Sequence, residues 1–302
     1  MKGTSAPIPV GKSHAPSSLR DVSKLALTLN LAVLGFLGAA AGQDLTIRGS
    51  DTLVPLSSAW AEAYGVKHSG AKIDVAGGSA AGAFAALAER KINLAIASRS
   101  MRFKETQPCE AAFGQRPAEL KVGVSGVVVY VNAANPVKLL TYDELFSIFK
   151  GNYRNWKQFG GDDAPIVVYG QETNSAPGEL FVEEVLSGKN LAADVHLLPA
   201  AEVRSAVSKT KNAIGFAALA TTDGTRALAI KRAFSSTPVD PAEDTIANRI
   251  YPISRFLYAY LDPGALKGDL GAYLDWIRSD EGQQVAKKTG FYPLPAKWRG
   301  SQ

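Results

Sequence analysis

Hydroxyl and glycine residues cluster where strand-like runs give way to helical ones, and they are the residues of this chain best suited to chemistry. Gly77-Gly78-Ser79-Ala80-Ala81-Gly82 follows an apolar run that begins at Ile73 and opens an Ala-rich helical stretch. The next strand-like run, Ile92 to Ala97, closes on Ser98-Arg99. Earlier in the chain, Gly49-Ser50-Asp51-Thr52 follows a short strand and precedes helical spacing of Leu53, Leu56, Trp60 and Tyr64. A third junction, Gly170 to Pro177, carries Gln171, Glu172, Ser175 and Ala176, with Pro177 suited to the first turn of a helix. Such junctions aim free backbone N–H groups at whatever sits above them. With serine, threonine and arginine alongside, the fitting guest is a small oxyanion. The alternative is that the glycines only permit tight turns and the hydroxyls only cap their own helices.

Other chemistry finds fewer residues. Ser79 between a strand and a helix faintly resembles the nucleophile elbow of a serine hydrolase, but Ala81 stands where G-x-S-x-G requires its last glycine. Of the three histidines, His14 lies in the N-terminal segment, His68 precedes a strand and His196 falls in another part of the chain. A hydrolase therefore lacks an evident base. The single Cys109 can close no intrachain disulfide, and no Cys/His spacing suggests a metal site. A dinucleotide fold lacks its full glycine pattern. No basic run with interleaved aromatics supports nucleic-acid binding. The expectation is a binding protein with no catalysis, cofactor or metal.

The junctions need a scaffold. A chain of 302 residues with 46% hydrophobic content suggests roughly two domains with packed cores. Residues 1–43 read as a signal peptide: a basic, Ser/Pro-rich lead precedes the apolar run Leu25 to Ala41, and Ala39 and Ala41 form an A-x-A cleavage site before Gly42. Asn30 interrupts the run, which is short for a membrane span, and no cysteine follows it to carry a lipid. An uncleaved N-terminal anchor is the competing reading. Lys2, Lys12, Arg20 and Lys24 against Asp21 supply more than half of the net charge of +5, so the high pI says little about the folded part. That part begins near Asp44 and is expected in the periplasm.

Strand and helix patterns alternate along it, which predicts an α/β class with mainly parallel sheets flanked by helices. Thr141 and Glu144 mark a helix start, and residues 101–119, with Pro108 and Pro117, read as an irregular segment. Two long β-rich runs, Lys121 to Asn132 and Tyr251 to Leu261, are expected to leave one sheet and enter another. If they are crossovers, residues 44–129 and 256–302 form one lobe and residues 130–255 the other, with a ligand cleft between them.

At this point the chain resembles the periplasmic phosphate-binding proteins of ABC transporters, within the two-lobe type II periplasmic binding-protein fold. The resemblance runs from about Leu45 to Leu294 and rests on Gly49-Ser50-Asp51-Thr52-Leu53, Gly77-Gly78-Ser79, Ala97-Ser98-Arg99, Asn155-Trp156-Lys157, Ala213-Ile214-Gly215-Phe216, Tyr251-Pro252 and Glu281-Gly282-Gln283. It implies a phosphate or similar oxyanion held between the lobes and delivered to a membrane permease by a monomer. Thr52 and Leu53 would contribute chiefly backbone N–H, Ser79 its hydroxyl and N–H, and Ser98 or Arg99 the end of the next strand. Ser50 and Asp51 complete the first turn, with Asp51 as a candidate acceptor. The third turn departs from the family pattern Gly-Arg-x-x-x-Ser-Gly-Thr: Gln171 replaces the arginine, Ala176 the glycine and Pro177 the threonine, while Ser175 remains. Each lost donor is worth about 1–3 kcal/mol. Arg99 is one source of the missing charge. The rival reading is a divergent member that binds another anion or serves as a sensor or scaffold.

Overall fold

Every strand-like run that ends at a polar junction lies in one of two five-stranded sheets of a computed structural model. It describes residues 44–218 and 224–300, with Met1, Gly3, Thr4, Pro7 and Pro9. The apolar run read as an export signal lies outside the described residues. The chain divides into units Met1–Ala41 and Gly42–Gln302, and both sheets belong to the second.

Its strands are β1 (Leu45–Gly49), β2 (Ile73–Ala76), β3 (Leu94–Ala97), β4 (Ala118–Gly126), β5 (Val128–Asn132), β6 (Leu139–Thr141), β7 (Val167–Gln171), β8 (His196–Leu198), β9 (Ala213–Ala217), β10 (Thr225–Ala227), β11 (Ala229–Lys231) and β12 (Ser254–Leu261). The helices that position the junctions are α1 (Val54–Lys67), α2 (Ala80–Ala88), α3 (Phe103–Phe113), α4 (Tyr142–Phe149) and α5 (Ala176–Glu184). The first sheet has the order β2-β1-β3-β12-β4 and the second β10-β5-β9-β7-β8. The expected parallel pairing holds for three strands of each: β1 is parallel to β2 and β3, and β7 to β8 and β9. The long strands make the sheets mixed. Strand β12 runs antiparallel to β3 and β4, and β5 antiparallel to β9 and β10.

The first long run leaves one sheet and enters the other at Val127, between β4 and β5. Val127 donates its N–H to Ile253 O at 3.0 Å, just before β12 begins. The second long run departs from the expectation: β12 pairs only within the first sheet, and Tyr251 and Ile253 reach the second core without joining its sheet. Each sheet has its own core: Leu53, Trp60 and Leu257 belong to the first, Phe149, Phe181 and Phe216 to the second. Helix α5 belongs to both, since Ala176 packs into the first core and Leu180 and Phe181 into the second.

Local chemistry explains most element starts. Thr141 and Glu144 close a reciprocal capping box on α4, which fixes its first turn. The irregular segment expected over 101–119 is a correction: most of it is α3, with Pro108 inside the helix. Glu105 Oε2 accepts from Arg102 N at 2.8 Å, Cys109 is fully buried, and Gly114 ends the helix in the left-handed conformation. Capping, tertiary burial and a glycine stop outweigh the proline penalty there.

Candidate functional site

Two of the four stretches singled out by residue type converge on the helix that begins in a third. Ser50, Thr52 and Ser98 sit at the C-terminal ends of β1 and β3, which are neighbours in the first sheet. Thr52 Oγ1 donates to Glu179 Oε2 at 2.7 Å, and Ser98 Oγ donates to Glu179 Oε1 at 3.4 Å. Ser50 Oγ lies 3.0 Å from Thr52 Oγ1. Because the single Thr52 proton goes to the carboxylate, Ser50 must be the donor in that pair, and the three oxygens form a relay ending on Glu179. Ser50 and Ser98 are buried.

Glu179 comes from the first turn of α5, just past the third junction, and reaches across to the ends of the first sheet's strands. One turn further along, Glu183 pairs with Arg255 Nη1. Arg255 Nη2 stands 3.5 Å from Glu179 Oε2. Two carboxylates four residues apart on one helix face thus address a single guanidinium. Arg255 lies on β12, opposite Ser125 of β4, and is 6% exposed. Its Nε and Nη2 have no hydrogen-bond partner among the described residues. The cluster therefore offers two hydroxyl donors and a half-satisfied guanidinium around one carboxylate, an arrangement that suits an oxyanion.

Neither Glu179, Glu183 nor Arg255 stands out in the sequence reading. The available signals were the four-residue spacing of the glutamates after Ser175 and a lone charge in the apolar run Tyr251 to Leu261.

The remaining candidates have other partners. Asp51 Oδ1 accepts from Gly78 N at 2.8 Å, tying the first turn to the second. Gly77 has to be a glycine, because a Cβ there would occupy the place of the Asp51 carboxylate, and Gly78 takes φ +139°. The Leu53 N–H donates to Ser50 O at 2.9 Å. Ser79 Oγ accepts from Gly82 N at 3.0 Å as the cap of α2, and Ser175 Oγ accepts from Gly178 N at 3.2 Å as the cap of α5. The Gln171 side chain accepts from Ala218 N at 3.1 Å, which fixes it to the backbone of the second sheet's unit. Ala176 is buried in the first core. Ser79 borders a cavity of about 420 Å3 lined also by Arg48, Gly49 and Ala83.

Arg99 is held in a bidentate pair with Glu105, both N···O distances being 2.8 Å, and it stacks over Phe84. Hydrogen bonding to Arg99 holds the Glu105 carboxyl down at about 2. The same bond raises the Arg99 guanidinium above its ordinary value. Its charge is therefore matched by a partner on α3, whereas Arg255 has unmatched donors.

A hydrolytic centre has no support in this geometry. Ser79 is an acceptor cap, His68 stacks on Tyr64 at 3.9 Å, and His196 lies beside Tyr169 in the second sheet. No helix among the described residues is long and apolar enough to cross a membrane.

Comparison with known proteins agrees with this architecture. Residues 37–281 match the PBP superfamily domain. The phosphate-binding protein PstS of Pseudomonas aeruginosa is 32% identical over 271 residues, covering 84% of each chain. A solved structure from Planctomyces limnophilus superposes with a TM-score of 0.75 at 26% identity, covering 86% of this chain and 96% of that one. Another, from Clostridium perfringens and holding bound phosphate, superposes with a TM-score of 0.57 at 27% identity, covering 84% and 100%. With two mixed sheets joined by the long run through Val127 and a polar cluster where they meet, the chain belongs to the PBP superfamily and to its family of phosphate-binding proteins.

Proposed function

We propose that this protein is an exported receptor that captures inorganic phosphate, or a close oxyanion, between its two sheets and presents it to an ABC-type permease. The observation that carries the reading is the convergence of Thr52, Ser98 and Arg255 on one carboxylate, since those donors serve any oxyanion in the same place. The Pseudomonas relative is named for phosphate, and the Clostridium structure holds it. In this reading Thr52 and Ser98 contact the anion, and Ser50 orients Thr52. Asp51, Leu53, Ser79, Gln171, Ser175 and Ala176 shape the surrounding turns, and Arg99 lies beside the site with its charge held by Glu105. The lobes are 44–129 with 256–302, and 130–255; the protein works as a monomer in the periplasm and catalyses nothing.

Calorimetric titration with phosphate, arsenate, sulfate and molybdate tests this. Micromolar or tighter phosphate binding is expected, and it should be lost when Thr52→Val is combined with Ser98→Ala. A second reading, a member that has left phosphate for another anion, draws on Gln171 and Pro177. It predicts that one of the other anions binds more tightly than phosphate.

A further inference from the structure

We propose that Glu179 is an internal occupant of the anion site, a carboxylate that clamps the two halves of the molecule together until phosphate displaces it. This rests on the reading of the cleft given above. A carboxylate and an oxyanion present the same chemistry to a donor: two or more oxygens, negative charge and acceptor lone pairs only. Glu179 places one oxygen on the Thr52 hydroxyl and the other towards the Ser98 hydroxyl, with Arg255 beside them. Those donors belong to the first sheet and its strand ends, whereas Leu180 and Phe181, which follow Glu179 directly, are fully buried in the second core. The contact therefore spans the cleft.

The charges make simultaneous occupancy unfavourable. Glu179 and Glu183 already set two negative charges against the one of Arg255, and a phosphate dianion added to that group would meet two carboxylates at close range in a partly desolvated place. The Glu179 side chain keeps 25% exposure, so it has a route to solvent. When it swings out, Thr52, Ser98 and the Arg255 Nη2 that it faces are released to the incoming anion, beside an Nε that makes no hydrogen bond. Glu183 keeps Arg255 Nη1, and the rest of the guanidinium supplies the N–H donors that Gln171 does not. Ligand affinity is lowered by the fraction of molecules in which Glu179 holds the site.

Glu179→Gln and Glu179→Ala, compared with the unchanged chain, test the proposal by phosphate titration and by small-angle X-ray scattering without ligand. Both variants should bind phosphate at least tenfold more tightly. Ligand-free Glu179→Ala should show a larger radius of gyration, which phosphate reduces. Weaker or unchanged phosphate binding in both variants would overturn the proposal, because Glu179 would then aid the anion or be indifferent to it. If neither the unchanged chain nor the variants bind phosphate, the receptor reading fails. The clamp is then decided by scattering alone: an unchanged radius in Glu179→Ala rejects it and an enlarged one supports it.

Discussion

Arg99 and Arg255 are both arginines at the end of a sheet next to acidic residues, and their surroundings give them different work. Arg99 meets Glu105 through two parallel hydrogen bonds, the strongest geometry available to a guanidinium. The carboxyl falls from an ordinary 4.5 to about 2 as a result. A carboxyl lowered by folding contributes stability above its unfolded value and loses it as pH falls toward its folded one. Acid unfolding should accordingly steepen between pH 4.5 and about 2. Glu105→Gln should remove that limb and lower stability at neutral pH by on the order of 2 kcal/mol, read by urea unfolding across pH. The sequence made Arg99 visible because it ends a strand beside Ser98. Glu105 was hidden in a segment whose prolines suggested no helix. Arg255 and Glu179 are far apart in the chain, and only the folded sheets bring them together, so no local pattern could pair them.

At the scale of elements, α5 bridges the two cores, and its N-terminus is fixed tightly. Gly178 leaves no room for a side chain, because a Cβ would collide with Glu172 O. Gly178→Ala should cost about 1–3 kcal/mol and shift the Glu179 carboxylate off Thr52. Thermal unfolding alongside phosphate titration would register both effects. Ser79→Ala should behave differently, losing about 1 kcal/mol through the α2 cap alone. The junctions themselves were legible, because a strand, a polar turn and a helix each have their own periodicity. The helix start at Thr141 was legible for the same reason, its capping box being written in adjacent residues. What occupies each junction was less so. Ser79 and Ser175 cap their own helices, whereas Thr52 and Ser98 face a partner from another element, and composition alone treats the four alike.

At the scale of the whole molecule, an anion bound between the sheets stabilises the folded state by mass action, about 2.7 kcal/mol at a hundredfold excess over Kd. For a folded part of this size, the melting temperature should then rise by about 5–10 °C with phosphate, and combining Thr52→Val with Ser98→Ala should abolish the rise. The division into two sheets was legible because the run Lys121 to Asn132 is too long for one sheet. The second run, Tyr251 to Leu261, was visible as a strand, but neither its pairing within the first sheet alone nor the bond from Val127 to Ile253 was.

That bond, Val127 N to Ile253 O, gives any relative movement of the sheets a common pivot. Two strands joined there can twist together, whereas sliding past each other would break the bond. Arg255 lies two residues from the pivot, on the first sheet. Thr52 and Ser98 stand at strand ends of the same sheet, so the three donors keep their spacing while the second sheet moves. What such a movement carries toward or away from this fixed donor set is α5, with Glu179 and Glu183 on it.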